Sequence, residues 1–370
     1  MRLSALSVPM RLLALAGLAG LSACSGGDDA VEPAPEPPVP VSQFVPIAFS
    51  GTLPEERAVT RAVGLEDKET SFKAWAYKVD DTGVVQNVMP GFTVNWISNS
   101  AHTTTSNTDD WEYVGQGANQ DIKYWDLQAQ SYRFFGVAPA SAPASFSSSG
   151  SPATSASVSL SVATTSDAGV VYEQSAIDAA PYFSEMWHTA DVASVHTQPV
   201  TLTFVKPFCR VRYLFTFVDE TMTRADIESQ TFHPTAGTII PRKGDVTITY
   251  PLTGTSSRET YAVANTDNEF KLTALTQDYY ESADDTDTNK ERWYTIVPPT
   301  SQGSYTLTIV LGGETKSVVV PEQYMQWKPG FEYTYIFKVT EGGAIVVQAI
   351  QVGINSWVEK KTIDHTIYNW

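Results

Sequence analysis

Residues 305–320 read YTLTIVLGGETKSVVV, and this stretch decides the fold class. Alternating runs flank Gly312-Gly313, which is typical of two antiparallel strands joined by a tight turn. Similar runs recur along the chain, at 72–79, 132–138, 200–204, 211–218, 246–250 and 333–339. No helical periodicity persists beyond about two turns. The chain is therefore predicted to be all-β and built from β-sandwiches.

The length and composition bound the number of domains. A chain of 370 residues is long enough for two β domains of ordinary size. We place an N-terminal β-sandwich domain at 46–198 and a C-terminal β-sandwich domain at 199–370. Residues 141–168 are rich in Ser, Ala and Thr, and we predict a mobile loop there apart from one strand at 158–162.

Charge and cysteine content exclude several classes of protein. The formal net charge is −17 and the pI is about 4.6, so the chain is not expected to bind nucleic acid, which requires clustered Lys and Arg. Cys24 and Cys209 are the two cysteines. Cys24 lies in the N-terminal segment, where we predict that it carries lipid, so Cys209 is left without a cysteine partner and a disulfide framework is excluded. Cys209 is predicted to be a buried structural thiol.

The N-terminus has the features of a targeting segment. Arg2 and Arg11 precede an apolar run at 12–21. This run is shorter than the roughly 20 residues that span a bilayer, and its length is typical of the core of a signal peptide. The run ends in Leu21-Ser22-Ala23-Cys24, which resembles the bacterial lipobox. We predict a signal peptide at 1–23, lipidation of Cys24 and a Pro-rich tether at 24–45. The alternative is an ordinary secretory signal with a chance cysteine.

No motif indicates catalysis or a cofactor. The histidines are scattered, and the acidic stretch 284–289 lacks the Gly and Glu that a calcium loop needs at its sixth and twelfth positions. We therefore predict no catalytic residues, no metal and no cofactor, although a carboxylate pair for glycoside hydrolysis cannot be read from sequence. Four tryptophans are candidates either for the core or for stacking on sugars: Trp111, Trp125, Trp187 and Trp293.

Several short stretches occur in an order that resembles a known family. They are Ile47-Ala48-Phe49-Ser50, Ala58-Val59-Thr60-Arg61-Ala62, Phe72-Lys73-Ala74-Trp75-Ala76-Tyr77, Tyr124-Trp125, Tyr132-Arg133-Phe134-Phe135-Gly136-Val137-Ala138-Pro139, Leu202-Thr203-Phe204, Arg210-Val211-Arg212 and Trp327-Lys328-Pro329-Gly330 followed by Tyr333-Thr334-Tyr335. This order resembles the fimbrillin-like lipoproteins of anaerobic gut and oral bacteria, which build type V pili. The resemblance extends along nearly the whole chain.

The resemblance implies two transthyretin-like β-sandwich domains and assembly by strand exchange. In that scheme an Arg-specific protease cuts in the loop after the first strand, and a neighbouring subunit donates a strand into the groove that is left. The matching cut lies between Arg61 and Ala62, with Arg57 as the second choice. The alternative is an exposed loop arginine that is never processed.

The residues themselves suit such a removable strand. Val45, Ile47 and Phe49 form one apolar face, which Leu53 extends, so 45–53 are predicted to form an edge strand.

A candidate donor strand lies in the C-terminal tail, and an ordinary last strand of the chain's own sheet is the alternative. Its apolar residues are Ile363, Ile367 and Trp370.

The expected function is a structural or adhesive subunit of a surface fimbria. Its partners would be other fimbrial subunits, the outer membrane through the lipid anchor, and surface glycans or proteins of a host or of other bacteria. The alternative is a glycan-binding surface lipoprotein that does not polymerise.

Overall fold

A computed structural model gives the structure of the protein and describes residues 44–54, 64–97, 110–163, 179–223, 226–235, 243–256, 258–264, 294–298, 303–354 and 366–369. The described residues are mostly strand, which confirms the predicted all-β class. One short α-helix, α1 (Val192–Val195), is capped by Asp191, whose carboxylate accepts a hydrogen bond from the Ser194 amide at 3.2 Å. Within the described ranges, no helix is long and apolar enough to cross a membrane.

The strands, in chain order, are β1 Phe49–Thr52, β2 Ser71–Val79, β3 Val85–Trp96, β4 Trp111–Glu112, β5 Ser131–Ala138, β6 Ala144–Gly150, β7 Ala153–Ala163, β8 Tyr182–Ser184, β9 Trp187–Thr189, β10 Val200–Val205, β11 Cys209–Phe217, β12 Ile227–Pro234, β13 Lys243–Pro251, β14 Thr260–Ala264, β15 Tyr294–Ile296, β16 Tyr305–Leu311, β17 Glu314–Val320, β18 Phe331–Val339, β19 Ile345–Ile354 and β20 Thr366–Asn369. They form four sheets.

The first sheet runs in the order β1-β10-β8-β5-β2-β3-β4, with β9 paired to β5. Both of its faces are covered, and every residue of β5 is buried. Successive side chains of β5 enter different cores, because side chains alternate across a strand. Phe134 joins one core, which contains Phe49 and Phe72, whereas Phe135 joins the other.

A second sheet, β14-β13-β7-β6, packs on the Phe135 side of the first sheet. The rings of Phe135 and Tyr250 stack with centroids 4.0 Å apart and planes 9° apart. Arg133 of β5 is 2% exposed and donates hydrogen bonds of 2.8 Å to the backbone carbonyls of Leu252 and Gly254. These contacts make one β-sandwich of the first two sheets.

The remaining two sheets form a second sandwich. One has the order β15-β11-β18-β19-β20 and the other β12-β16-β17. Their shared core contains Tyr213, Phe232, Tyr335 and Phe337. Cys209 is a fully buried member of this core, and burial raises its thiol pKa well above the usual value. That position agrees with the predicted structural thiol.

The division of the sequence at 198/199 does not coincide with the sheets. Strand β10 lies after that point, yet it pairs with β1 and β8 in the first sheet. Strands β13 and β14 also belong to the first sandwich, where β13 pairs with β7. The alternating pattern of a strand predicts which of its faces is buried but not which distant strand it pairs with, so this arrangement could not be read from local sequence.

The hairpin predicted at 305–320 is confirmed. Leu311 pairs with Glu314 across a turn in which Gly312 has φ +58° and Gly313 has φ +76°, and left-handed φ at both central residues is the geometry that favours glycine. The predicted loop at 141–168 is wrong in part, because β6 is a strand. Its residues are mostly exposed Ser, and its strand structure comes from pairing with β7 along an edge.

Candidate functional site: the first strand and its groove

The N-terminal described segment, 44–54, lies at the edge of the first sheet. Its strand β1 pairs in parallel with β10, Phe49 opposite Val200 and Thr52 opposite Thr203. The Val200 amide also donates a hydrogen bond of 2.8 Å to the Ala48 carbonyl. Only the four residues of β1 take part in this strand pairing, so the ladder on this side is short.

The same segment is hydrogen-bonded on its other side to residues 123–125. The Ile47 amide donates to the Lys123 carbonyl at 2.8 Å, and the Trp125 amide donates to the Val45 carbonyl at 3.0 Å. An antiparallel bridge joins Pro46 to Tyr124. The first strand therefore lies in a groove with two backbone walls, one parallel and one antiparallel.

The inward face of the segment fills the core of the first sheet. The side chains of Ile47 and Phe49 are fully buried and that of Leu53 is 2% exposed, while Val45 is partly buried against the same core. The Phe49 ring meets three aromatic rings edge to face at centroid distances of 5.8 to 5.9 Å, those of Phe72, Tyr113 and Phe134. The buried residues are those of the apolar face predicted from the sequence. Regular strand pairing, however, covers only residues 49–52 of the predicted strand 45–53.

The antiparallel wall is held by bonds that do not involve the first strand. The Tyr113 hydroxyl donates to the Lys123 carbonyl at 3.2 Å and accepts from the Lys123 amide at 2.9 Å. The Gln120 amide nitrogen donates to the carbonyls of Thr93 and Tyr113 at 2.8 and 2.7 Å. Burial raises the pKa of Tyr113 well above the usual value, so its phenol keeps its proton. The wall is thus fixed to β3 and to the residues after β4.

The chain returns to the groove directly after residues 55–63. Thr52, at the end of β1, forms an antiparallel bridge with Gly64. The fully buried Leu65 follows at the start of a short 3-10 turn, Leu65–Asp67. The two ends of the connection that contains both candidate arginines therefore lie side by side.

The other predicted site residues fall mainly outside the described residues. Those outside are Cys24, Arg57, Arg61, Ala62, Ile363 and Trp370. Ile367 lies in β20, where its backbone is paired with that of Gln351 in β19. This pairing corresponds to the alternative of an ordinary last strand for that part of the tail.

Two of the tryptophans considered for sugar stacking belong to the core. Trp111 is 1% exposed and Trp125 is 5% exposed, so neither presents a ring face to a ligand. Trp187 packs partly buried against the same core, and Trp293 lies outside the described residues. The exposed aromatic residues beside the groove are instead Phe44 and Tyr124, whose rings meet edge to face at 5.7 Å.

The described ranges contain no group of three or more His, Cys, Asp or Glu side chains that could hold a metal ion. The groove described above is formed by backbone edges and buried apolar side chains. Sequence reasoning did not identify the second wall at 123–125 or the position of Leu65. Gly51, in the middle of an apolar strand, was an available signal, because glycine inside a strand often marks a close approach of another part of the chain.

Solved structures of low sequence identity resemble this chain. A structure from Bacteroides uniformis named as a cell adhesion protein shares 13% identity, with a TM-score of 0.33, over 86% of this chain and 100% of that chain. A fimbrial assembly protein from Parabacteroides distasonis shares 8% identity, with a TM-score of 0.34, over 87% of this chain and 99% of that chain. No curated protein matches the sequence. The profile of the fimbrillin-like family matches residues 57–357, so this chain belongs to the fimbrillin-like family.

Proposed function

We propose that the protein is a structural or adhesive subunit of a surface fimbria, assembled by proteolytic removal of its first strand and strand exchange with a neighbouring subunit. Membership of the fimbrillin-like family supports a surface adhesive or fimbrial role rather than an enzymatic one. The observation that carries the strand exchange is the geometry of β1. It is a four-residue edge strand, yet Phe49 lies at the centre of the core.

Loss of this strand leaves a surface that a monomer would have to protect. The Val200 and Trp125 amides lose their partners in the first strand, and the Lys123 carbonyl keeps only the bond from the Tyr113 hydroxyl. The apolar positions filled by Ile47 and Phe49 are opened to water. A strand from a neighbouring subunit restores both the hydrogen bonds and the buried side chains, which is the physical basis of β-strand addition.

The proposed processing site lies in the connection between β1 and Leu65. Cleavage between Arg61 and Ala62 separates the first strand from the rest of the chain, and cleavage at Arg57 has the same effect. Before processing, the signal peptide 1–23 is removed and Cys24 carries lipid that holds the precursor on the outer membrane. Removal of residues 1–23 takes away Arg2 and Arg11 and no acid, so the formal charge changes from −17 to −19.

Mass spectrometry of the cell-surface form tests this proposal. We expect an N-terminus at Ala62 in the polymeric fraction, and Arg61→Ala should remove it. Arg57→Ala is the matched control, because it changes the same residue type four positions earlier and should leave an Ala62 terminus. Recovery of the protein only as a monomer that begins at lipidated Cys24 would contradict the proposal.

A second candidate function is glycan binding without polymerisation. The observation that favours it is the exposed pair Phe44 and Tyr124, 53% and 42% exposed, at the rim of the groove. Exposed aromatic rings bind ligands through their faces and edges. A glycan array with the wild type and Tyr124→Ala tests it, and binding that does not change in the variant would exclude this pair. Because Phe44 precedes the proposed cut, the complete pair exists only on the unprocessed chain.

A further inference from the structure

One position of the first strand has little room for a side chain. A Cβ atom at Gly51 would lie 3.0 Å from both the Cβ and the Cδ2 atoms of Leu65. That separation is shorter than ordinary van der Waals contact, and the Cβ atom of Leu65 can move only with its backbone. Leu65 is fully buried, and its carbonyl accepts hydrogen bonds from the amides of Lys68 and Glu69 at 2.9 and 2.8 Å, so residues outside the first strand hold its backbone in place. Leu65 therefore restricts position 51 to a very small residue.

This neighbour stays behind when the strand leaves. Leu65 lies after Arg61, so it remains part of the groove in the processed chain; this step rests on the proposed function. The groove then has four sites at alternate positions of the incoming strand. We call them the first apolar site (occupied by Ile47), the aromatic site (Phe49), the small site (Gly51, opposite Leu65) and the last apolar site (Leu53).

We propose that Leu65 selects the partner strand by admitting only glycine or alanine at the small site. The partner strand then carries an apolar residue, a large apolar or aromatic residue, glycine or alanine, and an apolar residue at alternate positions. It runs parallel to β10, because β1 does so. Its first part also has to present an amide and a carbonyl to residues 123–125, as Ile47 and Val45 do, so proline is excluded at the first apolar site.

Residues 352–370 do not carry that pattern. Every complete register of the tail 355–370 places a charged, amide or imidazole side chain in at least one of the four sites. A shorter alignment with Tyr368 in the aromatic site fills only the first three sites. It would place the large Trp370 side chain in the small site, against Leu65. The nearest match to the pattern is residues 352–358, which would place Ser356 in the small site. The first half of this stretch already belongs to β19 and pairs with β18, where Val352 lies opposite Tyr333. Residues 352–370 of this chain therefore do not supply the partner strand.

Substitutions in the intact chain test the role of Leu65 independently of assembly. Gly51→Val should lower the population of folded protein relative to unfolded protein at equilibrium by about tenfold or more, as overpacking of a core does. Ser50→Val is the matched control, because it adds the same side chain to the partly exposed face of β1 and should have little effect. Gly51→Val should cost less in a Leu65→Ala chain than in the Leu65 chain, because the contact with Cδ2 is removed while the contact with Cβ remains. Equal effects of Gly51→Val and Ser50→Val would overturn the inference.

Peptide exchange tests the choice of partner. The full chain is cut with an Arg-specific protease, and fluorescent peptides are added and followed by anisotropy, with the uncut chain as the blank. The 44–54 peptide should bind, its Gly51→Val form about tenfold or more weakly, and the 350–360 and 359–370 peptides more weakly still. Tight binding of the 350–360 or the 359–370 peptide would overturn the exclusion of these residues as the partner strand. If no peptide binds, the 44–54 peptide included, strand exchange itself fails, whereas the intact-chain variants still report on Leu65.

Discussion

Phe49 should be the main anchor of the first strand, and Phe49→Ala measures its contribution. The ring is fully buried and contacts three other aromatic rings, so its removal leaves a cavity bounded by rigid side chains. Truncation of a buried phenylalanine to alanine costs about 3–5 kcal/mol. The total stability of a folded domain is about 5–15 kcal/mol. We therefore expect Phe49→Ala to remain folded at 25 °C and to unfold at a clearly lower urea concentration.

Phe44→Ala is the matched control, because it makes the same truncation five residues earlier at a side chain that is 53% exposed. Its cost should stay below about 1 kcal/mol, since its one described ring contact is an exposed pair with Tyr124. Tryptophan fluorescence reports both transitions, because Trp111 and Trp125 lie in the same core as Phe49. The reasoning would be refuted by a loss below about 1 kcal/mol for Phe49→Ala, or by equal losses for the two variants.

Three further predictions concern the first sandwich. Trp111→Ala should lower the free energy of unfolding in urea by about 3–5 kcal/mol, because the ring is buried. It should have no separate effect on glycan binding, so loss of binding in a variant of unchanged stability would contradict this. Arg133→Met should cost at least about 2 kcal/mol, because two loop carbonyls lose their donors, and an unchanged melting temperature would show that water replaces the guanidinium. Burial and the nearby Arg133 lower the pKa of His188 below its usual value of 6.5. The native state therefore binds fewer protons than the unfolded state, and the free energy of unfolding should fall as pH falls from 6.5 towards the lowered pKa. The difference in melting temperature between wild type and His188→Gln should therefore depend on pH in that window, and a constant difference would refute it.

Local features of the sequence were sufficient for the hairpins but not for the pairing of distant strands. The turn at Gly312-Gly313 is contained within a few residues, so its pattern predicts both strands and their register. Strand β6 consists mostly of serines that face solvent, and only its partner β7 makes it a strand. The same limit explains β10, whose apolar alternation was visible but whose membership of the first sheet was not.

The candidate site was predictable to a similar extent. The apolar face of Ile47 and Phe49 was readable because alternation places both side chains on one side of a strand. The antiparallel wall at 123–125 depends on Tyr113 and Gln120, which position Lys123 from elsewhere in the chain. No local pattern specifies such a long-range arrangement. Gly51 was the one residue whose type alone indicated a close neighbour, although it did not identify Leu65.

If the protein assembles as proposed, proteolysis rather than competition alone should control strand exchange. In the intact chain the first strand is joined to Gly64 through residues 55–63, so its binding to the groove is intramolecular. A short connection of this kind corresponds to an effective concentration of about a millimolar or more. A free strand of equal fit would have to exceed that concentration to displace it. Cleavage at Arg61 makes dissociation of the first strand a separation of two molecules, after which it is diluted away. A partner strand held at the site by its own subunit then has the advantage of concentration.

An intact Arg61→Ala chain should therefore exchange the 44–54 peptide far more slowly than the cut wild type. Equal exchange rates would show that the connection does not control access to the groove.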